Sequence, residues 1–168
     1  MTSQGDVLKR LYTEKDLLAA ECLRHGIWKR LDPPSLAAIV STLVYEPRKD
    51  EAEVSPRMPN DDCREAHEAM VRLWGELEDT ERSHTLPTNA CPDAGMVWMM
   101  HRWAAGQRLE VVLRDSEIAA GDFVRRCKQV VDLLGQIGDA TPETTLSVTA
   151  RRAMDAVMRG VVAADRVD

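Results

Sequence analysis

Apolar residues recur at steps of three and four along most of the chain, which is the period of helices that bury one face. The clearest case is the predicted helix 122–138, which Gly121 and Asp122 begin, because the Asp122 carboxylate can accept hydrogen bonds from the first free amides. Its apolar positions are Phe123, Val124, Cys127, Val130, Val131, Leu134 and Ile137. A second stripe on this helix is long-armed and polar: Arg125, Gln129, Asp132 and Gln136. This polar stripe is where a partner could be held.

The same periodicity predicts helices along the rest of the chain. Asp32 before Pro33 and Pro34 is typical of a helix start, and the helix that follows should end near Tyr45. The other predicted helices are 5–12, 14–25, 62–83, 93–105, 108–114 and 142–164, with Gly26 and Gly106 as C-terminal stops. The intervening segments 46–61, 84–92 and 115–121 are predicted loops or turns. We therefore expect an all-α fold, a single helical bundle of about seven or eight helices.

Composition supports helices and restricts the kind of partner. Only seven residues are aromatic, which favours helices over sheets. A net charge of −6 argues against nucleic-acid binding through a broad basic surface, although a local basic path remains possible. The four cysteines form no C-x-x-C pair, which favours reduced thiols in a cytoplasm over a disulfide scaffold. No apolar run approaches twenty residues and no leader pattern is present, so we expect a soluble protein without a membrane role.

No catalytic motif is present in the sequence. Phosphate-binding loops, dinucleotide turns, zinc-protease and nucleophile-elbow patterns are all missing, so we expect neither a catalytic residue nor a metal site here. Cys63 and His67 lie one helical turn apart, but two ligands do not make a metal site. The Met- and Trp-rich stretch 96–103 is best interpreted as core packing, with Trp98 and Met99 off the inward face.

Two segments are positive candidates for binding. The predicted helices 108–114 and 122–138 have the proportions of a helix-turn-helix, with Arg125, Arg126, Lys128 and Gln129 in the first turns of the second helix. The other candidate is 45–48, where Tyr45 offers a stacking ring and Arg48 a guanidinium fork. Both candidates also have an explanation without a function: the polar stripe of helix 122–138 can simply be solvated, and a cation near 45–48 can simply favour the end of a helix. These patterns alone therefore name no function.

Four blocks of the sequence resemble a known family. They are LYTEKDLLAAECL (11–23), LVYEPR (43–48), WMMHRWAAG (98–106) and GDFVRRCKQ (121–129), and they occur in the family's order with its spacers. The chain resembles the DSHCT domain, the C-terminal helical domain of superkiller-type and HelY-type DExH-box RNA helicases, with the actinobacterial HelY branch most similar. The resemblance covers 5–164 and leaves 1–4 and 165–168 as terminal tails.

The resemblance implies an accessory role in an ATP-dependent RNA helicase that acts in RNA unwinding and turnover. This chain would need no cofactor, whereas ATP and Mg²⁺ would belong to the helicase core of the parent chain. The domain would pack on that core and contact single-stranded RNA at the channel exit, with DNA an open alternative and RNA-degradation factors as further partners. Carried over by position, the RNA-contacting residues are Glu46, Arg48, Arg125 and Gln129, to which we add Lys128. Gln129 occupies a position that is often basic in the family, so its contact would be neutral.

Two other functions remain open from the sequence. A free-standing helix-turn-helix protein would bind duplex DNA, and a helical protein-interaction module would bind no nucleic acid.

Overall fold

The fold is all-α, as predicted. The structure, a computed structural model, describes residues 16–45, 57–83, 93–114, 116, 118–141, 144–160 and 162. Within these ranges there are no strands, and seven α-helices are found: α1 Asp16–His25, α2 Pro33–Val40, α3 Asp61–Ser83, α4 Val97–Ala104, α5 Leu109–Val112, α6 Ala120–Ala140 and α7 Thr144–Val157. Two 3-10 helices, η1 Ser41–Leu43 and η2 Ala94–Met96, extend α2 and precede α4. The predicted helix 5–12 and the predicted loop 84–92 lie outside the described residues.

Helix α2 lies at the centre of the bundle. It packs against α3, α4, α6 and α7, and every residue from Ser35 to Val40 is buried. A helix that is apolar on all faces is stable only when surrounded by other elements. Its start follows the sequence prediction, since the Asp32 carboxylate accepts a hydrogen bond from the Ser35 amide at 2.9 Å and prolines occupy the first two helical positions.

The pair α6 and α7 is held close by small residues. A Cβ atom on Gly138 would lie 3.6 Å from the Ala150 Cβ, and the Ser147 hydroxyl donates to the Gly138 carbonyl at 3.0 Å. The predicted inward face of α6 is confirmed, because Phe123, Cys127, Val130, Leu134 and Ile137 are all buried. This packing leaves the opposite face of α6 toward solvent, with Arg125, Gln129 and Asp132 exposed.

Both glycine stops are confirmed. Gly26 has φ +67° after α1, where the Gly26 and Ile27 amides donate to the carbonyls of Leu23 and Cys22, and Gly106 has φ +102° after α4. Positive φ carries little strain for glycine, which lets the chain turn out of a helix while satisfying its last carbonyls.

Three details of the sequence prediction are wrong. Helix α6 begins at Ala120, so Asp122 lies in its first turn instead of starting it, and Ala119 holds the N-cap position without a side-chain hydrogen bond. The predicted helix 142–164 is interrupted, because α7 ends at Val157 and helical backbone returns only at Gly160 and Val162. Met99 is buried, because the turn from η2 into α4 brings it against the core. Each difference comes from tertiary packing that a local pattern does not carry.

The helix-turn-helix-like segment has a short first element. Helix α5 contains four residues, a single turn, before the chain reaches α6 at Ala120. None of the helices in the described ranges is long and apolar enough to cross a membrane.

Candidate functional site

The fold brings the two candidate segments of the sequence together. Arg126 on α6 donates from Nη1 to the Val44 carbonyl at 2.9 Å, across 82 residues of sequence. Val44 directly follows η1 and precedes Tyr45, the first residue of the block at 45–48. We call the surface formed by Val44, Tyr45, Arg125, Arg126 and Gln129 the α6–η1 surface. Sequence reasoning treated its two halves as separate sites.

Arg126 also positions Gln129. The same Nη1 atom donates to the Gln129 Oε1 atom at 3.0 Å, one helical turn along α6. With its oxygen engaged in this way, the exposed Gln129 amide keeps an NH₂ group with two donors for contact with a ligand. Gln129 is thus an oriented hydrogen-bond donor, as the predicted neutral contact requires.

Arg125 is exposed and held by a single surface ion pair. Its Nη2 atom lies 3.0 Å from the Asp122 Oδ1 atom, and 64% of its side chain is accessible. Exposed ion pairs of this type stabilise a protein by only about 0–1 kcal/mol, so an incoming anion can replace the carboxylate at small cost. Arg125 therefore remains available to a ligand.

Tyr45 is fixed against the segment that leads into α4. The Asp93 amide donates to the Thr42 carbonyl at 3.1 Å, and the Asp93 carboxylate accepts from the Gly95 amide at 2.8 Å. A Cβ atom on Gly95 would lie only 2.5 Å from the Tyr45 Cε2 atom, which is closer than real Cβ contacts. Glycine at 95 is what allows the half-buried tyrosine ring to rest there.

Of the remaining predicted contacts, one lies among the described residues and two do not. Lys128 is half-buried on α6, one residue before Gln129. Glu46 and Arg48 lie outside the described residues, although the described chain leads to them from Tyr45. Sequence reasoning missed Arg126 as the link between the segments. Its spacing of three from Gln129 indicated a shared helix face, but no pattern pointed to Val44.

The described residues offer no alternative chemistry near this surface. They contain no group of three or more potential metal-ligating side chains. Burial raises the pKa of the Cys127 thiol, on the inner face of α6, to about 12, so this thiol is protonated and unreactive at neutral pH. The α6–η1 surface can bind through guanidinium, phenol and amide groups.

Comparison with known proteins identifies the domain. Residues 1–164 match the family described as the DSHCT (NUC185) domain. The chain is 42% identical over 175 residues to the probable helicase HelY of Mycobacterium leprae (strain TN), and the match covers 98% of this chain and 19% of that relative. It is 39% identical to the probable helicase HelY of Mycobacterium tuberculosis, strains CDC 1551 / Oshkosh and H37Rv, with the same coverage. The chain spans about a fifth (19%) of the length of these relatives. It belongs to the DSHCT domain family.

Proposed function

We propose that this chain acts as the C-terminal accessory domain of an ATP-dependent DExH-box RNA helicase. In this role it packs on the helicase core and guides single-stranded RNA at the exit of the channel. ATP and Mg²⁺ are bound by the core, and this chain supplies contacts to the emerging strand. The observation that carries the proposal is the bond from Arg126 to the Val44 carbonyl, which joins the two blocks that hold the expected RNA contacts.

The chemistry of the α6–η1 surface suits a strand that must slide. Arg125 can exchange its Asp122 partner for a phosphate, while Gln129 can donate to a ribose or base. Tyr45 can stack on a base, a contact that tolerates every sequence. A few contacts of this kind hold a strand weakly, which is compatible with a net charge of −6.

The free-standing DNA-binding alternative has less support. A helix-turn-helix needs a first helix that crosses the DNA backbone, and α5 provides one turn of four residues. Asp122 in the first turn of α6 would also face the phosphates of a duplex at the end where a recognition helix enters the groove.

The decisive variant is Arg125→Glu, made in the intact protein that carries this sequence. Arg125 is exposed, so we expect the fold to remain, while RNA-stimulated ATP hydrolysis should need about five- to tenfold more RNA for half-maximal rate. The assay is a steady-state ATPase titration with single-stranded RNA.

The matched control is Arg151→Glu on α7. Arg151 is also exposed and also lies near an aspartate, with its Nη2 atom 3.8 Å from the Asp139 Oδ1 atom, so the charge reversal is the same. The ATPase activity of this control should follow RNA as the wild type does. An RNA titration of Arg125→Glu that overlays the wild type would refute the assignment.

A further inference from the structure

Trp98 carries two guanidinium groups on its indole. The Arg57 Cζ atom lies 4.2 Å from the ring centroid and the Arg102 Cζ atom lies 4.5 Å from it. Trp98 is half-buried, Arg102 is half-buried and Arg57 is exposed. Guanidinium groups at this distance are attracted to the negative face of the ring, which keeps the long arginine side chains in place.

These two arginines lack a carboxylate partner within the described ranges. Some other exposed arginines form ion pairs, as Arg64 does with Asp61 at 3.0 Å and Arg108 with Glu110 at 3.3 Å. Arg102 donates from Nη1 to the Gln107 Oε1 atom at 3.2 Å, but its buried Nε atom has no hydrogen-bond partner. Two positive groups on one ring without a neutralising acid form a place that favours an anion.

The cluster lies close in sequence to the segment on which Tyr45 rests. Trp98 follows Gly95 by three residues, about one helical turn, and Gly95 is the residue on which the Tyr45 ring rests. A strand that contacts Tyr45 and continues along η2 into α4 meets a further cationic contact there. A phosphate is the anion that such a strand presents at every step.

We propose that Arg57, positioned by Trp98 and assisted by Arg102, is a second contact for single-stranded RNA, which binds a backbone phosphate. The Arg57 guanidinium offers a planar fork that fits a phosphate with two hydrogen bonds, and its outer face can stack on a base. Trp98 acts as a positioning residue, because it restricts the guanidinium before the strand arrives. This contact rests on the proposed function and names a residue that the sequence motifs did not include.

The test is Arg57→Gln in the intact protein that carries this sequence. Binding of a fluorescein-labelled oligouridylate of about 12 nucleotides is measured by fluorescence anisotropy across a series of salt concentrations. We expect the dissociation constant to rise about threefold or more at low salt. The slope of log K against log salt should fall by about 0.7, the value for one lost contact to a single strand. Arg57→Lys keeps the charge without the planar fork and should recover part of the affinity and the full slope.

Arg72→Gln is the matched control. Arg72 is exposed on α3 and, like Arg57, has no carboxylate partner in the part of the chain that the structure describes. It lines a different surface, beside Gly26 and Lys29.

If Arg57→Gln binds RNA with the affinity and slope of Arg72→Gln while Arg125→Glu weakens binding, the second contact is overturned and the proposed function stands. If Arg57→Gln and Arg125→Glu both bind as the wild type does, both proposals fail. If Arg57→Gln binds a Glu-rich peptide more weakly than the wild type but binds RNA with unchanged affinity, the ligand of this cluster is an acidic protein segment and its assignment to RNA is overturned.

Discussion

His101 links the ionisation of one residue to the stability of the fold. It is half-buried on α4, and burial lowers its pKa below the ordinary 6.5, with Arg102 acting in the same direction and Asp32 opposing. The unfolded chain therefore binds a proton more readily than the folded one. The stability that the neutral form of His101 contributes is fully present above about pH 6.5. This contribution is lost as the pH falls below 6.5 and through the lowered pKa of the folded state.

We expect His101→Gln to reduce this acid sensitivity. The free energy of unfolding, measured by urea denaturation at about pH 7.5 and about pH 5.5, should fall less between the two values in the variant than in the wild type. His67→Gln on α3, another half-buried histidine, serves as the control. An equal reduction of the pH dependence in both variants would contradict a specific role of His101.

Individual residues also show which parts of the fold can be predicted locally. Asp32 and the glycines at 26 and 106 were identified correctly, because a cap or a left-handed turn depends on neighbours within a few residues. The Arg126 bond to Val44 could not be predicted, because its partners are 82 residues apart and any exposed arginine carries the same local pattern.

The C-terminal end of α7 and the residue Arg159 beyond it are joined to α4 and the segment after α4 by hydrogen bonds in both directions. The Trp103 indole N–H donates to the Val157 carbonyl at 2.9 Å, and the Arg159 guanidinium donates to the carbonyls of Trp103 and Gln107, the latter at 2.6 Å. The Arg159 Cζ atom also lies 3.7 Å from the Trp103 ring centroid. Arg159 thus gives a further donor to the carbonyls of Trp103, in the last turn of α4, and of Gln107, just beyond that helix.

Removal of this side chain should destabilise the domain. We expect Arg159→Ala to lower the free energy of unfolding by about 2–3 kcal/mol, since charged hydrogen bonds and a stacked guanidinium are lost together. Arg152→Ala on α7 removes an exposed arginine and should change the free energy of unfolding by at most about 0.5 kcal/mol. Urea denaturation followed by circular dichroism gives both values. Equal stability of the two variants would show that Arg159 adds nothing to the fold.

Helix positions were predicted more reliably than their final turns. The period of apolar residues located α3 within one residue of its start, because an amphipathic face must repeat along the whole helix. The same period suggested that α7 continues toward residue 164, but α7 ends at Val157, and the Arg159 Nε atom just beyond it donates to the Trp103 carbonyl at 3.1 Å. A contact between elements 56 residues apart decides that ending.

At the scale of the whole molecule, the charge distribution is compatible with the RNA contact that we propose for this acidic domain. The chain carries a net charge of −6, yet Arg57, Arg102 and Arg126 have no carboxylate partner among the described residues. Local potential, not net charge, governs contact with a threaded strand. Composition gave the overall charge and left a local basic path open, since only folding brings Arg57 and Arg102, 45 residues apart in sequence, to the same Trp98 ring.

The buried centre of the molecule predicts a cooperative fold. Ile39 on α2 is fully buried, and α2 packs against four other helices, so the loss of its side chain affects the whole described bundle. We expect Ile39→Ala to lower the free energy of unfolding by about 2–5 kcal/mol. Val148→Ala is the control, because Val148 is 41% exposed on α7 and its truncation should cost at most about 0.5 kcal/mol.

Two probes test whether the loss of stability in Ile39→Ala is shared by all elements of the described bundle. Far-ultraviolet circular dichroism follows the helices, while tryptophan fluorescence reports on the core through Trp28 and Trp103, both of which are buried. In a domain with a single core the two urea transitions coincide, and in Ile39→Ala both should shift to lower urea by the same amount. Transitions that separate in the variant would mean that α2 stabilises only part of the bundle. In that case the α6–η1 surface, which α2 supports through η1, could unfold independently of the remaining helices.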